Sequence, residues 1–450
     1  MGTIPFPEAE EVPMPSFSFV HAADLHLGSP FSALSLNNPD LNAMVHSASA
    51  DAFDNLIDLC LKKAVDFLLV AGDVFDGEDR SLGVQVKFRD GLRRLSDGGI
   101  RSFVVHGNHD PLSAWSATLE WPERVHIFGD KLETVQVERD GSVLACIQGI
   151  SYSRKDERSN LSLLFKRTGP MFHIGLLHAN VGSDTGHEPY APCSMEDLAR
   201  SGMDYWALGH VHGSRVLSRE SPWIVYSGNT QGRNARETGE KGCYLVRVGD
   251  HLDVEIEFHS TATLRWVLKD LPINNLASEQ DLLNALDETC SAISSSEPEP
   301  ALVRIVLAGR GPLDRSLRRP GALSDLLGIL QENALSYSPV VWVEQLQLRT
   351  GPELDMEALR QEKDFVGQLL RCSRELAGSV SLAGSDSLGD APWKGDAPCK
   401  GDAVREELSS LFDDPKARRF LAGVKDSELR DFLEQAEGLC AQGLQSEDGE

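Results

Sequence analysis

Residues 104–111, VVHGNHDP, follow an apolar run with a histidine, a glycine, an asparagine, a second histidine and an aspartate. The apolar run reads as a buried strand, and the polar residues fall where the strand gives way to a loop. A loop has no structural need for that polar series. It acquires one if other parts of the chain bring matching donors to the same place.

Four other apolar runs end in the same kind of residue. ADLH contributes Asp24 and His26, AGDVFD contributes Asp73, LLHAN contributes His178, and LGHVHG contributes His210 and His212. In open α/β sheets the carboxyl ends of the strands line the crevice where ligands sit. On one rim, these ends and Asn108 would gather carboxylates, imidazoles and one amide oxygen. A lone aspartate at a strand end more often caps a turn, and a lone His178 more often sits satisfied in a core. The conjunction, in this order and each time after an apolar run, points to metal. Donors without a thiolate suit Mn²⁺, with Fe²⁺, Zn²⁺ or Mg²⁺ as alternatives. The set is too large for one ion and fits two. Two ions about 3.5–4 Å apart can clamp the attacking and leaving oxygens of an in-line displacement. One carboxylate must then be shared, and Asp73 is the natural bridge. Within GNHD the glycine permits a tight turn, Asn108 offers a neutral ligand, His109 is free for proton chemistry and Asp110 can orient it.

Length and charge set the frame. A chain of 450 residues can hold two or three domains and at least one large core. Its 43 basic and 69 acidic residues give a net charge of −26. That balance argues against a general nucleic-acid coat, because phosphate contacts need local positive charge. It does not exclude a nuclease, where bound cations or a local basic patch supply that charge. The 8 cysteines include no CxxC pair, which argues against a zinc knuckle and for a reduced, cytoplasmic setting. No basic-then-apolar leader and no run of about 20 apolar residues occurs, so neither a signal peptide nor a membrane span is expected.

Residues 1–15 read as a flexible leader. From 16 to 258, short apolar runs alternate with helical patterns, the grammar of a layered α/β domain. Phe53, Leu56, Ile57 and Cys60 fall at i, i+3, i+4 and i+7 of an amphipathic helix. From 260 to 350, three strand-like runs and two helical patterns suggest a smaller α+β domain. A helix is expected over 351–377. The six-residue repeat in GDAPWKGDAPCKGDA marks 378–403 as a linker. Residues 404–450 read as helical, with Leu429, Phe432, Leu433, Ala436 and Cys440 in one stripe. His21 and His106 are expected in core or supporting roles, and His173 in a turn or on the surface.

The ordered motifs D-x-H, GD, GNHD, H and GHxH resemble those of the calcineurin-like metallophosphoesterase superfamily. VHAADLHLG, LLVAGDVFD, GNHDP and WALGHVHG look most like DNA-repair exonucleases of the SbcD type, and of these the YhaO-type variant. The resemblance covers residues 17–258 well and 260–350 more weakly. It implies a four-layer α-β-β-α sandwich with a smaller α+β capping domain and, here, a C-terminal helical tail. It assigns Asp24, His26, Asp73 and His212 to a first metal and Asp73, Asn108, His178 and His210 to a second. His109 matches the family's catalytic histidine, a general acid at the scissile phosphate. Ser227, Gly228 and Asn229 match a supporting loop near the metals. SbcD-type nucleases usually read GDxFH at the second motif, and this chain places Asp76 at that histidine. GDVFDG also approaches the GDxxDRG of protein phosphatases, with Gly77 where their arginine stands.

The function expected is a two-metal DNA phosphodiesterase of DNA repair, an exonuclease with an endonuclease activity open to it. Metal-activated hydroxide would attack phosphorus in line. Arg233, Arg236 and His187 are candidate substrate contacts. DNA, an SbcC-like coiled-coil ATPase bound through the C-terminal stripe, and a second copy of the chain are the expected partners. Two other readings compete. One is a phosphatase or phosphodiesterase for small nucleotides or phosphoproteins. The other is a catalytically weak subunit that binds DNA ends or the ATPase.

Overall fold

The apolar runs of residues 17–258 form strands in the computed structural model. The structure describes residues 15–29, 39–77, 81–114, 116–182, 188–352 and 356–361. In chain order the elements begin β1 (Phe17–Ala22), α1 (Pro39–Lys63), β2 (Phe67–Ala71), α2 (Leu82–Asp97), β3 (Arg101–Val105), β4 (Val125–Ile127), β5 (Glu133–Arg139) and β6 (Ser142–Gly149). They continue with β7 (Phe172–His178), α3 (Met195–Arg200), β8 (Tyr205–Gly209), β9 (Arg215–Ser218), β10 (Trp223–Tyr226), β11 (Gly242–Val248) and β12 (Val254–Ser260). The last are β13 (Arg265–Pro272), α4 (Glu279–Ser296), β14 (Ala301–Arg310), α5 (Asp314–Leu317), α6 (Ala322–Asn333), β15 (Val341–Gly351) and α7 (Met356–Gln361).

By its own contacts the chain divides into two units. One holds the chain through Lys269 with Thr289–Arg304 and Ile329–Gln345, and the other holds Asp270–Glu288, Ile305–Gly328 and the chain from Leu346. The first contains two six-stranded sheets, ordered β12-β11-β1-β2-β3-β4 and β5-β6-β7-β8-β10-β9. In the first sheet β1 to β4 are parallel, and in the second β6, β7, β8 and β10 are parallel. β11 and β12 extend the first sheet antiparallel, while β5 and β9 flank the second antiparallel. Both sheets are therefore mixed, with a parallel centre.

The burial pattern explains the layering. Phe19, Phe67, Leu69 and Phe103 of one sheet share a core with Ile174, Leu176, Tyr205 and Val225 of the other. The alternate residues of the first sheet, Val20, Leu68, Val70 and Val104, pack with Phe53, Leu56, Ile57 and Cys60 of α1 and Phe88 and Leu92 of α2. The four residues that mark the amphipathic stripe in the sequence are thus the face α1 buries. Fully burying each such side chain contributes about 1.5–3 kcal/mol. The Ser81 hydroxyl caps α2 by accepting from the Val84 amide at 3.3 Å. On the second sheet Leu177, Trp206, Leu208 and Tyr226 pack with Leu198 of α3 and Leu161. The strands are central and buried on both faces, so they read as continuous apolar runs rather than alternating ones. β13, β14 and β15 form a third sheet in that order.

The α/β sandwich expected from the sequence is the fold observed. The linker, the C-terminal helical segment, His187 and nearly all of the leader lie outside the described residues. Within 351–377, the described helix is α7. His173 differs from its expectation: it is buried in β7, with Nδ1 donating to the Met171 carbonyl at 2.7 Å and Nε2 accepting from the Thr168 amide at 3.0 Å.

Candidate metal centre

The carboxyl ends of five parallel strands, three from one sheet and two from the other, carry the polar motifs. Asp24 and His26 follow β1, Asp73 follows β2, Asn108 to Asp110 follow β3, His178 ends β7, and His210 and His212 follow β8. The expected ligands converge. Asp24, His26 and His212 offer donor atoms within 4.8 Å of one another, and so do Asp24, Asp73 and His178. Asp24, His26, Asp73, Asn108, His178 and His210 are all buried. Four of them, Asp24, His26, Asp73 and His210, take positive φ of 52°, 43°, 49° and 98°. Non-glycine residues rarely adopt that backbone, and such strain gathers at functional sites.

Hydrogen bonds to a carbonyl and a carboxylate set the ring tautomers of His178 and His212. His178 Nδ1 donates to the Ala71 carbonyl at 2.9 Å. In the neutral ring its Nε2 is then a lone pair, which faces Asn108 Oδ1 at 3.0 Å and Asp73 Oδ2 at 3.4 Å. His212 Nδ1 donates to Glu237 Oε1 at 2.9 Å. Its Nε2 lies 3.2 Å from His26 Nε2, whose Nδ1 is 3.2 Å from Asp76 Oδ1. Neutral His178 and His212 rings held this way point their Nε2 lone pairs at the Asn108 and Asp73 oxygens and at the His26 ring. A proton or a cation must stand between them, and the O/N donor set with its outer carboxylate and carbonyl partners fits a divalent cation. The His210 ring centroid lies 5.3 Å from that of His178, its amide donates to both Asp24 oxygens at 3.1 Å, and its Nε2 donates to the Glu188 carbonyl at 2.8 Å.

The electrostatics show what the donors do without an ion. Burial pushes the Asp73 carboxyl up, but His178, His26 and His109 more than offset it and hold it well below the usual carboxylate range. Burial pulls His178 down, but Asp73 and Asp24 outweigh it and raise the ring to about 9. Burial, then the Arg233 charge, lowers His26 to about 4. Burial raises Asp24. Charge is thus arranged around one deeply ionised carboxylate.

His109 is the most open member, with a side chain 35 % exposed. Its amide donates to Asp73 Oδ1 at 2.9 Å, and its Nδ1 lies 3.0 Å from Asp76 Oδ1. Burial lowers this ring, but the hydrogen bond to Asp76 and the charge of Asp73 raise it on balance. The residue that holds His109 is therefore Asp76, not Asp110 as the sequence suggests. Asp110 is fully buried and committed elsewhere. Its Oδ2 accepts from His106 Nδ1 and the Val74 amide, both at 2.9 Å, and its Oδ1 accepts from the Gly107 amide at 2.8 Å. It ties the β2 and β3 loops together.

Arg233 reaches the same place, with Nη1 donating to Asp76 Oδ1 at 2.9 Å. Arg236 is exposed, and its amide donates to Asn234 Oδ1 at 2.9 Å. Asn229 supports the site as expected, with Nδ2 donating to Glu237 Oε2 at 2.7 Å. Sequence reasoning missed Glu237, which also accepts from the Arg233 amide at 2.9 Å. It lies in a loop with no periodicity, and only its closeness to Arg233 could have signalled it. His21 is a core residue as read, with Nε2 donating to the Leu208 carbonyl at 3.2 Å and Nδ1 accepting from the Tyr205 hydroxyl at 3.1 Å.

Fold and site together define a metallophosphoesterase. Residues 17–214 match the calcineurin-like phosphoesterase family, and residues 266–351 match the middle domain of the metallophosphoesterase YhaO. The chain is 37% identical over 345 residues to the uncharacterized metallophosphoesterase YhaO of Bacillus subtilis (strain 168), covering 76% of this chain and 84% of that one. It is 27% identical over 216 residues to the DNA double-strand break repair protein Mre11 of Sulfurisphaera tokodaii, covering 47% and 53%. Against the Mre11 of Saccharolobus solfataricus it is 24% identical over 299 residues, covering 64% and 74%. The chain belongs to the YhaO-type family of calcineurin-like metallophosphoesterases.

Proposed function

We propose that this chain is a two-metal-dependent DNA phosphodiesterase acting in DNA repair, with exonuclease activity. The observation that carries the reading is the two converging donor sets, His26 facing His212 and His178 facing Asn108 and Asp73, with Asp24 offering a donor atom to both. Asp24, His26, Asp73 and His212 would hold one ion, and Asp73, Asn108, His178 and His210 the other. Divalent ions there would polarise the phosphoryl oxygens and lower the pKa of water. Donors of this kind favour Mn²⁺. DNA as substrate is supported by the similarity to proteins named for double-strand break repair.

His109 performs the proton transfer in this reading. With Nδ1 held by Asp76, its other ring nitrogen is the one free to give a proton to an oxygen at the scissile phosphate, a role worth typically about 10²–10⁴-fold. Asp76 and Arg233 keep the ring in place. Residues 404–450, which would dock an SbcC-like ATPase, lie outside the described residues. The test compares Asp73→Ala with His109→Ala. Both are expected to abolish Mn²⁺-dependent degradation of end-labelled DNA, and only Asp73→Ala to lower bound metal. Wild-type turnover by His109→Ala would remove the assigned role. Strong turnover of small phosphoesters with no DNA degradation would favour the phosphatase reading instead.

A further inference from the structure

A chain of net charge −26 carries four arginines and one aspartate in the ten residues Arg310 to Arg319. This segment lies within the second unit, between β14 and α6. Asp314 is buried and locks the turn. Its carboxylate accepts from Arg318 Nε at 2.9 and 3.1 Å and from the Thr350 hydroxyl at 2.6 Å, while Arg318 Nη2 donates to the Thr350 carbonyl. Arg349, next along β15, pairs with Asp270 at 2.6 Å. The remaining guanidiniums, on Arg310, Arg315 and Arg319, have no carboxylate partner among the described residues. Arg315 and Arg319 are exposed.

Arg315 lies in α5, Arg318 caps its C-terminus and Arg319 follows, with its amide donating to the Ser316 carbonyl at 3.2 Å, so three like charges crowd within five residues. The one aspartate pairs with Arg318, which leaves the exposed Arg315 and Arg319 as a positive surface on an acidic molecule. Such a surface favours a ligand that carries regularly spaced negative charge and accepts the arginine fork, which is a phosphodiester backbone. We infer that the Arg310–Arg319 turn, with Arg349, binds the phosphates of a nucleic-acid strand. This rests on the reading of DNA as substrate and adds a binding surface separate from the metal ligands.

The test uses the full chain and a fluorescein-labelled DNA duplex in EDTA, titrated at several salt concentrations. Hydrolysis of bis-p-nitrophenyl phosphate with Mn²⁺ serves as a separate readout. Arg315→Glu/Arg319→Glu is expected to bind the duplex at least about tenfold more weakly, with the logarithmic salt slope shallower by about 2. Arg315→Lys/Arg319→Lys should keep most of the slope, and all three proteins should hydrolyse the small diester alike. Unchanged affinity and slope in the Glu variant overturn the inference while leaving DNA cleavage intact. A wild-type chain that neither binds nor cleaves DNA overturns the substrate reading and the inference with it.

Discussion

His21 lies inside β1, three residues before Asp24, yet does different work. Both its ring nitrogens are used in the neutral form, and burial lowers its pKa to about 3. The unfolded chain takes up that proton near the ordinary value of about 6.5, and the folded chain does not until about 3. Between those values the unfolded state binds more protons, so this group makes stability fall as pH drops. The full slope for one proton is about 1.36 kcal/mol per pH unit. His21→Gln is expected to flatten the fall in melting temperature between pH 6.5 and 4, measured in EDTA so that metal binding does not contribute. A slope equal to the wild type would contradict the assignment. The residue types of the candidate metal ligands were legible because that chemistry admits few alternatives. The partner of each carboxylate was not. Asp110 adjoins His109 in sequence but turns into the core, whereas Asp76, from a different loop, reaches the ring. Adjacency along the chain does not determine which side chains meet when every loop folds over a sheet edge.

At the scale of the element, the β3 loop can carry Asn108 and His109 only because Gly107 has no side chain. Its φ lies outside the left-handed region, so the reason is room rather than the tight turn expected from the sequence. A Cβ there would press on Asp73 Oδ1 and sit 2.7 Å from His178 Nε2. Neither side chain can retreat, since both are buried and hydrogen-bonded. Gly107→Ala is therefore expected to cost about 1–3 kcal/mol, as overpacked sites do. It should also reduce Mn²⁺ bound per chain, because it displaces the residue read as the bridge. Bound metal measured on the purified variant checks this, and full occupancy would refute it. The stripe on α1 and the apolar runs of most central strands were legible, because they follow from burial on one or both faces. β4, β5, β9, β11, β12 and α2 escaped notice. β4 and β9 are short, and β4, β5, β9 and β12 lie at sheet edges, while Gly242 and Arg247 cut the apolar run of the interior strand β11 short. An edge strand with little burial leaves no continuous apolar run to read.

For the whole molecule, a candidate metal centre assembled from five strand ends would couple binding to folding. No part of the chain holds the complete donor set locally, since the ligands run from Asp24 to His212 across both sheets. The unfolded chain can offer Asp24 with His26, or His210 with His212, but not the enclosed set around Asp73. An ion that prefers the folded state stabilises it by mass action, by about 2.7 kcal/mol at a free concentration one hundred times Kd. With two compact units the chain need not melt in one step. The shift is then expected only in the transition of the unit that holds the sheets. Adding Mn²⁺ to EDTA-stripped wild type should raise that transition by several degrees, on a scale of about 2–4 °C per kcal/mol for 150–250 residues. Asp73→Ala should show little or no rise, because losing the shared carboxylate removes a donor from both sets at once. His109→Ala, which removes no assigned ligand, should respond as the wild type does. Equal Mn²⁺ responses in wild type and Asp73→Ala would mean that the cation binds elsewhere, and that the converging lone pairs are satisfied by protons alone.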